Sequence, residues 1–428
     1  MGLTCQTVDP SAVLINELAC GNCHAGINAN DNISNKAPDL KLTAVAYKPD
    51  FIFGYLKNPT KLRTNIGLSR MPNFKLSEKE ALALTLYIVS LVPETLKQTS
   101  NEFTQSLENI KSFSPGISVK DGERIFEALN CTACHNQETS QIKNEKNAPD
   151  LSIEGSRVQK EWLKLYLKEP FAIRPFGNQP GSGSRMPDFK LSEDEIKIIS
   201  DFLIKQQKKF FSNSNYRMTE LNPFLKLKAE KLIEEKLPCR GCHEFKGIGG
   251  KIAPGLSSVS NRLKQGYVYE IISNPVHVSE EIIMPKVKMP MQNIKLIIDY
   301  LNQMNNPVTR EEYLSLLDNQ TINFDHKSGA EKNYLKYCAP CHGVNGNSDG
   351  FNQQYLPTLP TRFNDKNYMQ MRPNDTLYDG IFAGGYILNK SHLMPSWGFT
   401  LNNEEIIQLV KYLRKLCECN PPEWTTDN

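Results

Sequence analysis

Apolar residues recur at helical spacing along the chain, and one such pattern appears four times. The clearest example places four apolar side chains on one helical face: Ile196, Ile199, Phe202 and Leu203. An aromatic residue occupies the same position in all four stretches: Tyr87, Phe202, Tyr300 and Tyr412. The pattern therefore predicts four repeats, each of which ends with an amphipathic helix that buries one aromatic side chain.

Polar residues mark where these helices begin. In three repeats an N-cap residue is followed three positions later by glutamate: Ser77 with Glu80, Ser192 with Glu195, and Asn402 with Glu405. This spacing is typical of a capping box or a strong N-cap. The third repeat has Pro290 where the cap residue is expected. Proline is tolerated in a first helical turn, so we expect that helix to form with a weaker cap.

Two further helices are predicted in each repeat. One is central and covers about residues 51–56, 162–167, 268–272 and 377–382, and the other precedes a cysteine motif. Polar segments at 94–116, 205–222 and 302–327 are interpreted as linkers with some helix. The predicted fold class is all-α, with four tandem domains of about three helices each, at residues 1–98, 113–208, 219–305 and 325–420.

Composition limits the class of protein but does not indicate what reaction or ligand is involved. The 428 residues are 39% hydrophobic and 23% charged, which excludes a collagen-like, low-complexity or wholly disordered chain. The net charge of +3 is too small to favour nucleic acid as a partner. The longest apolar run, residues 81–92, is shorter than the about 20 residues that span a bilayer, so no transmembrane span is predicted.

Eight of the 11 cysteines belong to four Cys-x-x-Cys-His motifs. The motifs are Cys20, Cys23 and His24; Cys131, Cys134 and His135; Cys239, Cys242 and His243; and Cys338, Cys341 and His342. They match the attachment signature of c-type haem, in which two thiols on one helical turn form thioethers and the histidine ligates iron. A zinc ribbon would need its cysteine pairs close together, but these are 111, 108 and 99 residues apart. We therefore predict four covalent haem c groups.

A Met-Pro unit follows each motif and supplies a candidate for the second axial ligand. These methionines are Met71, Met186, Met284 and Met394, at 47, 51, 41 and 52 residues after their histidines. A lone methionine is more often a packing residue, but four in register favour His/Met ligation, which is typical of electron-transfer cytochromes. In the third repeat Met289 and Met291 compete with Met284, and the register favours Met284.

A ligating histidine needs an acceptor for its other ring nitrogen. Prolines recur 14, 14 and 11 residues after the first three histidines and offer their carbonyl oxygens: Pro38, Pro149 and Pro254, with Pro357 or its competitor Pro360 in the fourth repeat. Arg185 is interpreted as either a partner of a haem propionate or a solvated side chain. Core packing is favoured over a propionate contact for Trp397.

Three cysteines have no motif. Cys5 is a candidate lipid-anchor residue, although Leu3 lies one position too close to it for that motif. A bridge between Cys417 and Cys419 would be strained, so free thiols, or one of them bonded to Cys5, stand as alternatives. Haem attachment takes place outside the cytoplasm, so we expect a periplasmic or extracytoplasmic location, with membrane association as an option. Export requires a signal sequence, so we expect either that the signal has been removed or that the start is misassigned.

Together, the motifs resemble class I c-type cytochrome domains repeated four times. The resemblance implies small all-α domains, His/Met iron and single-electron transfer between a redox donor and an acceptor, such as a membrane respiratory or dehydrogenase complex. It favours a non-enzymatic, multihaem carrier of a respiratory chain. Two alternatives stay open: a subunit of a larger oxidoreductase complex, and a peroxidase or small-oxide reductase with one open-coordination haem, for which the third repeat is the place to look.

Overall fold

The structure is a computed structural model, and it forms two compact units. It describes residues 9–24, 37, 39–60, 71–131, 148–177, 181–182, 184–207, 217–279, 282–304, 306–308, 310–317, 322, 327 and 329–422. Unit 1 comprises residues 1–172, 182–208 and 312–321, and therefore holds most of the first two repeats. Unit 2 comprises residues 173–181, 209–311 and 322–428, which include the third and fourth repeats.

Unit 1 is mainly helical in its described residues. Its α-helices are α1 (Pro10–Glu17), α2 (Cys20–Cys23), α3 (Thr43–Ala46), α4 (Pro49–Lys57), α5 (Glu78–Ser90), α6 (Asn101–Lys111), α7 (Val119–Ala128), α8 (Glu154–Arg157), α9 (Lys160–Lys168) and α10 (Glu193–Lys205). Helices α5 and α10 are the predicted C-terminal helices of the first two repeats. Both begin with complete capping boxes, at Ser77 and Ser192, which confirms the predicted start signals.

The packing of unit 1 crosses the boundary between its repeats. Helix α7, which leads into the second cysteine motif, packs against α5 of the first repeat, and α1 packs against α10 of the second. Helices α7 and α5 cross closely because Gly122 has no side chain: a Cβ placed there would lie 1.9 Å from the carbonyl oxygen of Ala83. Beside this crossing, the rings of Tyr87 and Phe126 lie 5.4 Å apart.

Unit 2 contains the remaining helices and one small hairpin. The helices are α11 (Pro223–Lys231), α12 (Cys239–Cys242), α13 (Val259–Arg262), α14 (Gln265–Ser273), α15 (Pro275–Val278), α16 (Met291–Gln303), α17 (Gly329–Asn333), α18 (Ala339–His342), α19 (Lys366–Met369), α20 (Asn374–Ala383) and α21 (Asn403–Cys417). Strands β1 (Glu244–Phe245) and β2 (Ile248–Gly249) pair antiparallel. This hairpin was not predicted.

Each repeat of unit 2 packs on itself. Helix α11 contacts α16 within the third repeat, and α17 contacts α21 within the fourth. Asn402 forms the predicted capping box with Glu405, whereas Pro290 gives α16 no side-chain cap. The predicted aromatic core is present in the fourth repeat, where the rings of Tyr334 and Tyr412 lie 5.2 Å apart.

The chain bends in two different ways as it approaches the cysteine motifs. In unit 1 the residue before the first cysteine is left-handed, with φ of 55° at Ala19 and 53° at Asn130. In unit 2 the helix instead widens into a π-turn, at Leu232–Lys236 and Tyr334–Cys338. Such turns insert one residue into a helix and recur at functional sites.

The prediction of a mainly α-helical fold is confirmed, whereas the four domain boundaries stay a prediction. Among the described residues, no helix is both long and apolar enough to cross a bilayer. Cys417 and Cys419 form a disulfide bond, which decides between the alternatives that the sequence left open for these cysteines. The bridge is accommodated because Glu418, between them, is left-handed and leaves the two Cα atoms 5.2 Å apart. Cys5 lies outside the described residues.

Candidate haem sites

The cysteines of the described motifs lie one helical turn apart. Cys20–Cys23 and Cys239–Cys242 are α2 and α12, and Cys338 is the N-cap residue of α18. The backbone N–H of His24 and of His243 each donates to the carbonyl of the first cysteine of its motif at 2.9 Å. Cys131 is described, but Cys134 and His135 lie outside the described residues. The observed spacing suits two thioethers followed by an iron-ligating imidazole.

Each described motif histidine donates one hydrogen bond from its ring to a backbone carbonyl. The Nδ1 atoms of His24, His243 and His342 lie 2.9, 2.7 and 2.9 Å from carbonyl oxygens. A carbonyl only accepts, so Nδ1 carries the hydrogen and Nε2 keeps a lone pair for a metal. Burial lowers the pKa of each of these three histidines to about 4. The low pKa keeps the imidazoles neutral near pH 7, which is the form that ligates iron.

The identity of the acceptor differs among the repeats. For His243 it is the carbonyl of Pro254, as predicted. For His342 it is Thr361, one residue beyond Pro360, so neither proline proposed for the fourth repeat is correct. For His24 it is Pro149, which belongs to the second repeat. Pro38, the residue expected from the first repeat, lies outside the described residues.

The four candidate methionines are all described and partly buried: Met71, Met186, Met284 and Met394. Each lies in an irregular segment ahead of the C-terminal helix of its repeat. The backbone holds these segments at specific points. The hydroxyl of Tyr313 donates to the carbonyl of Met186 at 3.2 Å, and the N–H of Gly385 donates to that of Met394 at 3.1 Å. These two segments, which contain predicted ligands, are therefore fixed through main-chain contacts.

Two attachment motifs lie side by side within each unit. In unit 2 the side-chain amide of Asn352 donates to the carbonyl of Gly241 at 2.7 Å and lies 3.3 Å from the sulfur of Cys341. In unit 1 the amide of Asn130 lies 3.5 Å from the carbonyl of Asn22 and 3.6 Å from the sulfur of Cys23. Asn130 directly precedes Cys131. One asparagine thus connects two motifs in each unit.

The donor set fits haem c. Zinc would need four ligands close together, and the described residues hold no group of three or more His, Cys, Asp or Glu side chains that could bind a metal. In addition, the indole N–H of Trp162 is buried and has no hydrogen-bond partner among the described residues. A haem propionate is an acceptor that such a donor can use.

Some side chains have roles that the sequence did not indicate. Arg185 forms a buried ion pair with Glu80 at 2.5 Å instead of facing a propionate or solvent. No sequence pattern marks Asn352 as a residue that contacts two attachment motifs. For Asn130, the one indication is its position directly before Cys131. Trp397 is buried, with its ring 4.8 Å from that of Tyr337, which confirms the packing role.

The comparisons with known proteins agree with the helical fold and the attachment motifs, because two separate segments of the chain match cytochrome models. Residues 119–207 match the family model of cytochrome c. Residues 326–413 match the model of cytochrome c oxidase, cbb3-type, subunit III. The chain is also 30% identical over 111 residues to cytochrome c oxidase subunit 2 of Bacillus subtilis (strain 168). That match covers 24% of this chain and 30% of the relative, so the chain spans less than a third of it. No solved structure matches the chain.

Proposed function

We propose that the protein is a multihaem electron carrier with four haem c groups. Thioethers would form at Cys20, Cys23, Cys131, Cys134, Cys239, Cys242, Cys338 and Cys341. The axial ligands would be His24, His135, His243 and His342 on one side and Met71, Met186, Met284 and Met394 on the other. The four domains would follow the boundaries 1–98, 113–208, 219–305 and 325–420. Bound haem supplies a one-electron iron couple, which is the chemistry of carriers.

The observation that carries this proposal is the adjacency of the attachment motifs. Asn352 contacts both Gly241, between two attachment cysteines, and the sulfur of Cys341. Electron tunnelling slows steeply with distance, so attachment points in contact favour exchange between the two groups of a unit. A single substrate-binding haem would gain nothing from this arrangement, whereas a relay depends on it.

The partners we propose are a redox protein donor and an acceptor in a membrane respiratory complex. Support comes from the match of residues 326–413 to a subunit of a cbb3-type oxidase and from the similarity to an oxidase subunit 2. We infer a periplasmic or otherwise extracytoplasmic location, because haem c is attached there. The subunit role within an oxidoreductase complex is the variant of this proposal that the two relatives favour.

Intact-mass measurement of the holoprotein and a spectroelectrochemical titration test the proposal together. We expect four porphyrin increments, four one-electron steps and a methionine–iron charge-transfer band in the ferric protein. Substituting the cysteines of one motif should remove one increment and one step. Fewer increments in the intact protein would contradict the haem count, and a missing methionine–iron band would contradict the axial ligands.

A further inference from the structure

Unit 1 exchanges the first helix of each of its repeats. Helix α1, ahead of Cys20, packs against α10 of the second repeat, and α7, ahead of Cys131, packs against α5 of the first. In unit 2 the corresponding helices stay within their own repeats, α11 on α16 and α17 on α21. The chain thus contains both arrangements of the same helical module, and unit 2 serves as the unexchanged reference.

The surroundings of His24 come from the second repeat. Its Nδ1–H donates to the carbonyl of Pro149, and the positive charge of Arg157 acts on it. In the third repeat, the Nδ1–H of His243 donates to the carbonyl of Pro254, and the charges of Arg174, from the second repeat, and of Arg262, the counterpart of Arg157, act on it. In the third repeat, the candidate methionine that follows Pro254 along the chain is Met284. The candidate methionine that follows Pro149 along the chain is Met186, so the surroundings of His24 are those expected for the haem that Met186 ligates.

The second motif shares a core with the first repeat. The buried residues of this core, called the α5 core here, are Leu40, Ala44, Ile52, Leu56, Ala81, Ala83, Leu84, Tyr87, Ile88, Val92, Phe103, Ile125, Phe126, Leu129 and Leu316. Met71 and Cys131 both pack against it. Because Cys131 is a predicted attachment residue, a haem that it tethers would lie at the core that Met71 also contacts.

Reciprocal contacts join the methionine segments of the two repeats. Asn73 and Asp188, each two residues after its methionine, exchange backbone hydrogen bonds of 2.8 Å in both directions. Lys75 donates to the carbonyl of Pro170 at 2.7 Å, and Lys190, at the matching position, donates to that of Pro59 at 3.2 Å. Contacts that repeat in both directions are the signature of a twofold arrangement, in which exchange of an identical element is a low-cost route to association.

We propose that the axial ligands of unit 1 are exchanged between repeats, so that His24 shares its iron with Met186, while Met71 ligates the haem that Cys131 tethers. This inference rests on the proposed His/Met ligation and goes beyond it, because order along the chain alone would pair His24 with Met71.

A double-mutant cycle on the holoprotein tests the pairing. The intensity of the methionine–iron band serves as a count of iron–methionine bonds, and Cys20→Ser/Cys23→Ser removes the first haem. Adding Met186→Ala to that variant should leave the band unchanged, at a total loss of about a quarter, because the bond is already absent. Adding Met71→Ala should raise the loss to about half. Met284→Ala is the matched control and should also add its own quarter.

In the opposite result, Met71→Ala would leave the band of the Cys20→Ser/Cys23→Ser variant unchanged and Met186→Ala would reduce it further. That result would overturn the exchange while leaving His/Met ligation intact. Full band intensity in the single Met71→Ala and Met186→Ala variants would overturn the ligation itself. If haem removal unfolds unit 1, the pairing can be tested by NMR spectroscopy of the unaltered, reduced holoprotein with ¹³C-methyl-labelled methionine. The Met186 methyl, assigned with Met186→Leu, should then show a nuclear Overhauser contact to the haem bonded to Cys20 and Cys23. A contact to the haem bonded to Cys131 would refute the exchange.

Discussion

Breaking the buried ion pair between Arg185 and Glu80 should strongly destabilise unit 1. Their side chains are only 2% and 1% exposed. Arg185 lies 2.5 and 3.2 Å from the two carboxylate oxygens, and it also donates to the carbonyl of Leu314 at 2.7 Å. Glu80 accepts from the backbone N–H groups of Ser77 and Leu316, each at 2.8 Å. Removing the arginine would therefore leave a carboxylate buried without a countercharge.

We expect Arg185→Ala to lower the free energy of unfolding of unit 1 by about 3–5 kcal/mol, the range for breaking a buried ion pair. With a urea m-value of about 2–3 kcal/mol/M, the midpoint should fall by about 1–2.5 M. Urea titration of the holoprotein, followed by circular dichroism, measures this shift. The double variant Arg185→Met/Glu80→Gln should recover part of the loss, since it leaves no unpaired buried charge.

Glu405→Ala provides a control, because Glu405 completes the capping box of α21 as Glu80 completes that of α5. Its loss should be limited to the cap, about 1 kcal/mol. The exposed pair of Lys197 with Asp201 gives a second control, and Lys197→Ala should cost less than about 0.5 kcal/mol. If Arg185→Ala cost no more than these controls, Arg185 would not be needed to neutralise a buried Glu80 carboxylate.

Three further variants test separate parts of the structure. Gly122→Ala should destabilise by about 1–3 kcal/mol in urea titration, because the new Cβ would meet the carbonyl of Ala83. By contrast, Gly54→Ala, in open space on α4, should stabilise by about 0.5–1 kcal/mol; equal effects of the two would contradict the close crossing. Tyr334→Phe should cost about 1 kcal/mol in the same assay, because its buried hydroxyl donates to a backbone carbonyl at 2.8 Å, and an unchanged midpoint would argue against that bond. Met284→Ala should open one haem to carbon monoxide, seen as stoichiometric binding by the reduced variant; equally rapid binding by the unaltered protein would favour the enzyme alternative for the third repeat.

Local features were predictable from the sequence because they depend on neighbouring residues. The capping boxes at Ser77, Ser192 and Asn402 are contacts across three positions. The Pro254 acceptor lies only 11 residues from His243. The acceptor in the fourth repeat is Thr361, four residues beyond Pro357 and one beyond Pro360. It was missed because the repeats differ in length there and a carbonyl oxygen leaves no mark in the side-chain pattern.

Long-range contacts were not predictable for a physical reason. From the sequence, Glu80 was explained by its place in a capping box, and Arg185 was explained as a propionate partner or a solvated cation. Neither explanation required the other residue. Their pairing depends on how the first two repeats fold together, and that information lies 105 residues apart in the chain. The same holds for Asn352, which contacts Gly241 across 111 residues.

The exchange of α1 and α7 was also not predictable, because the entropy of loop closure is nearly the same for the exchanged and the unexchanged fold. Docking α7 on α5 closes 29 residues instead of the 65 that separate α7 from α10, while docking α1 on α10 closes 176 instead of 61. Loop-closure entropy then disfavours the exchange by only about 0.2 kcal/mol. The packing of the two leading helices therefore decides. Gly122 lies against the carbonyl of Ala83 and the Cβ of Tyr87 on α5, so a side chain at position 122 would oppose the exchanged form.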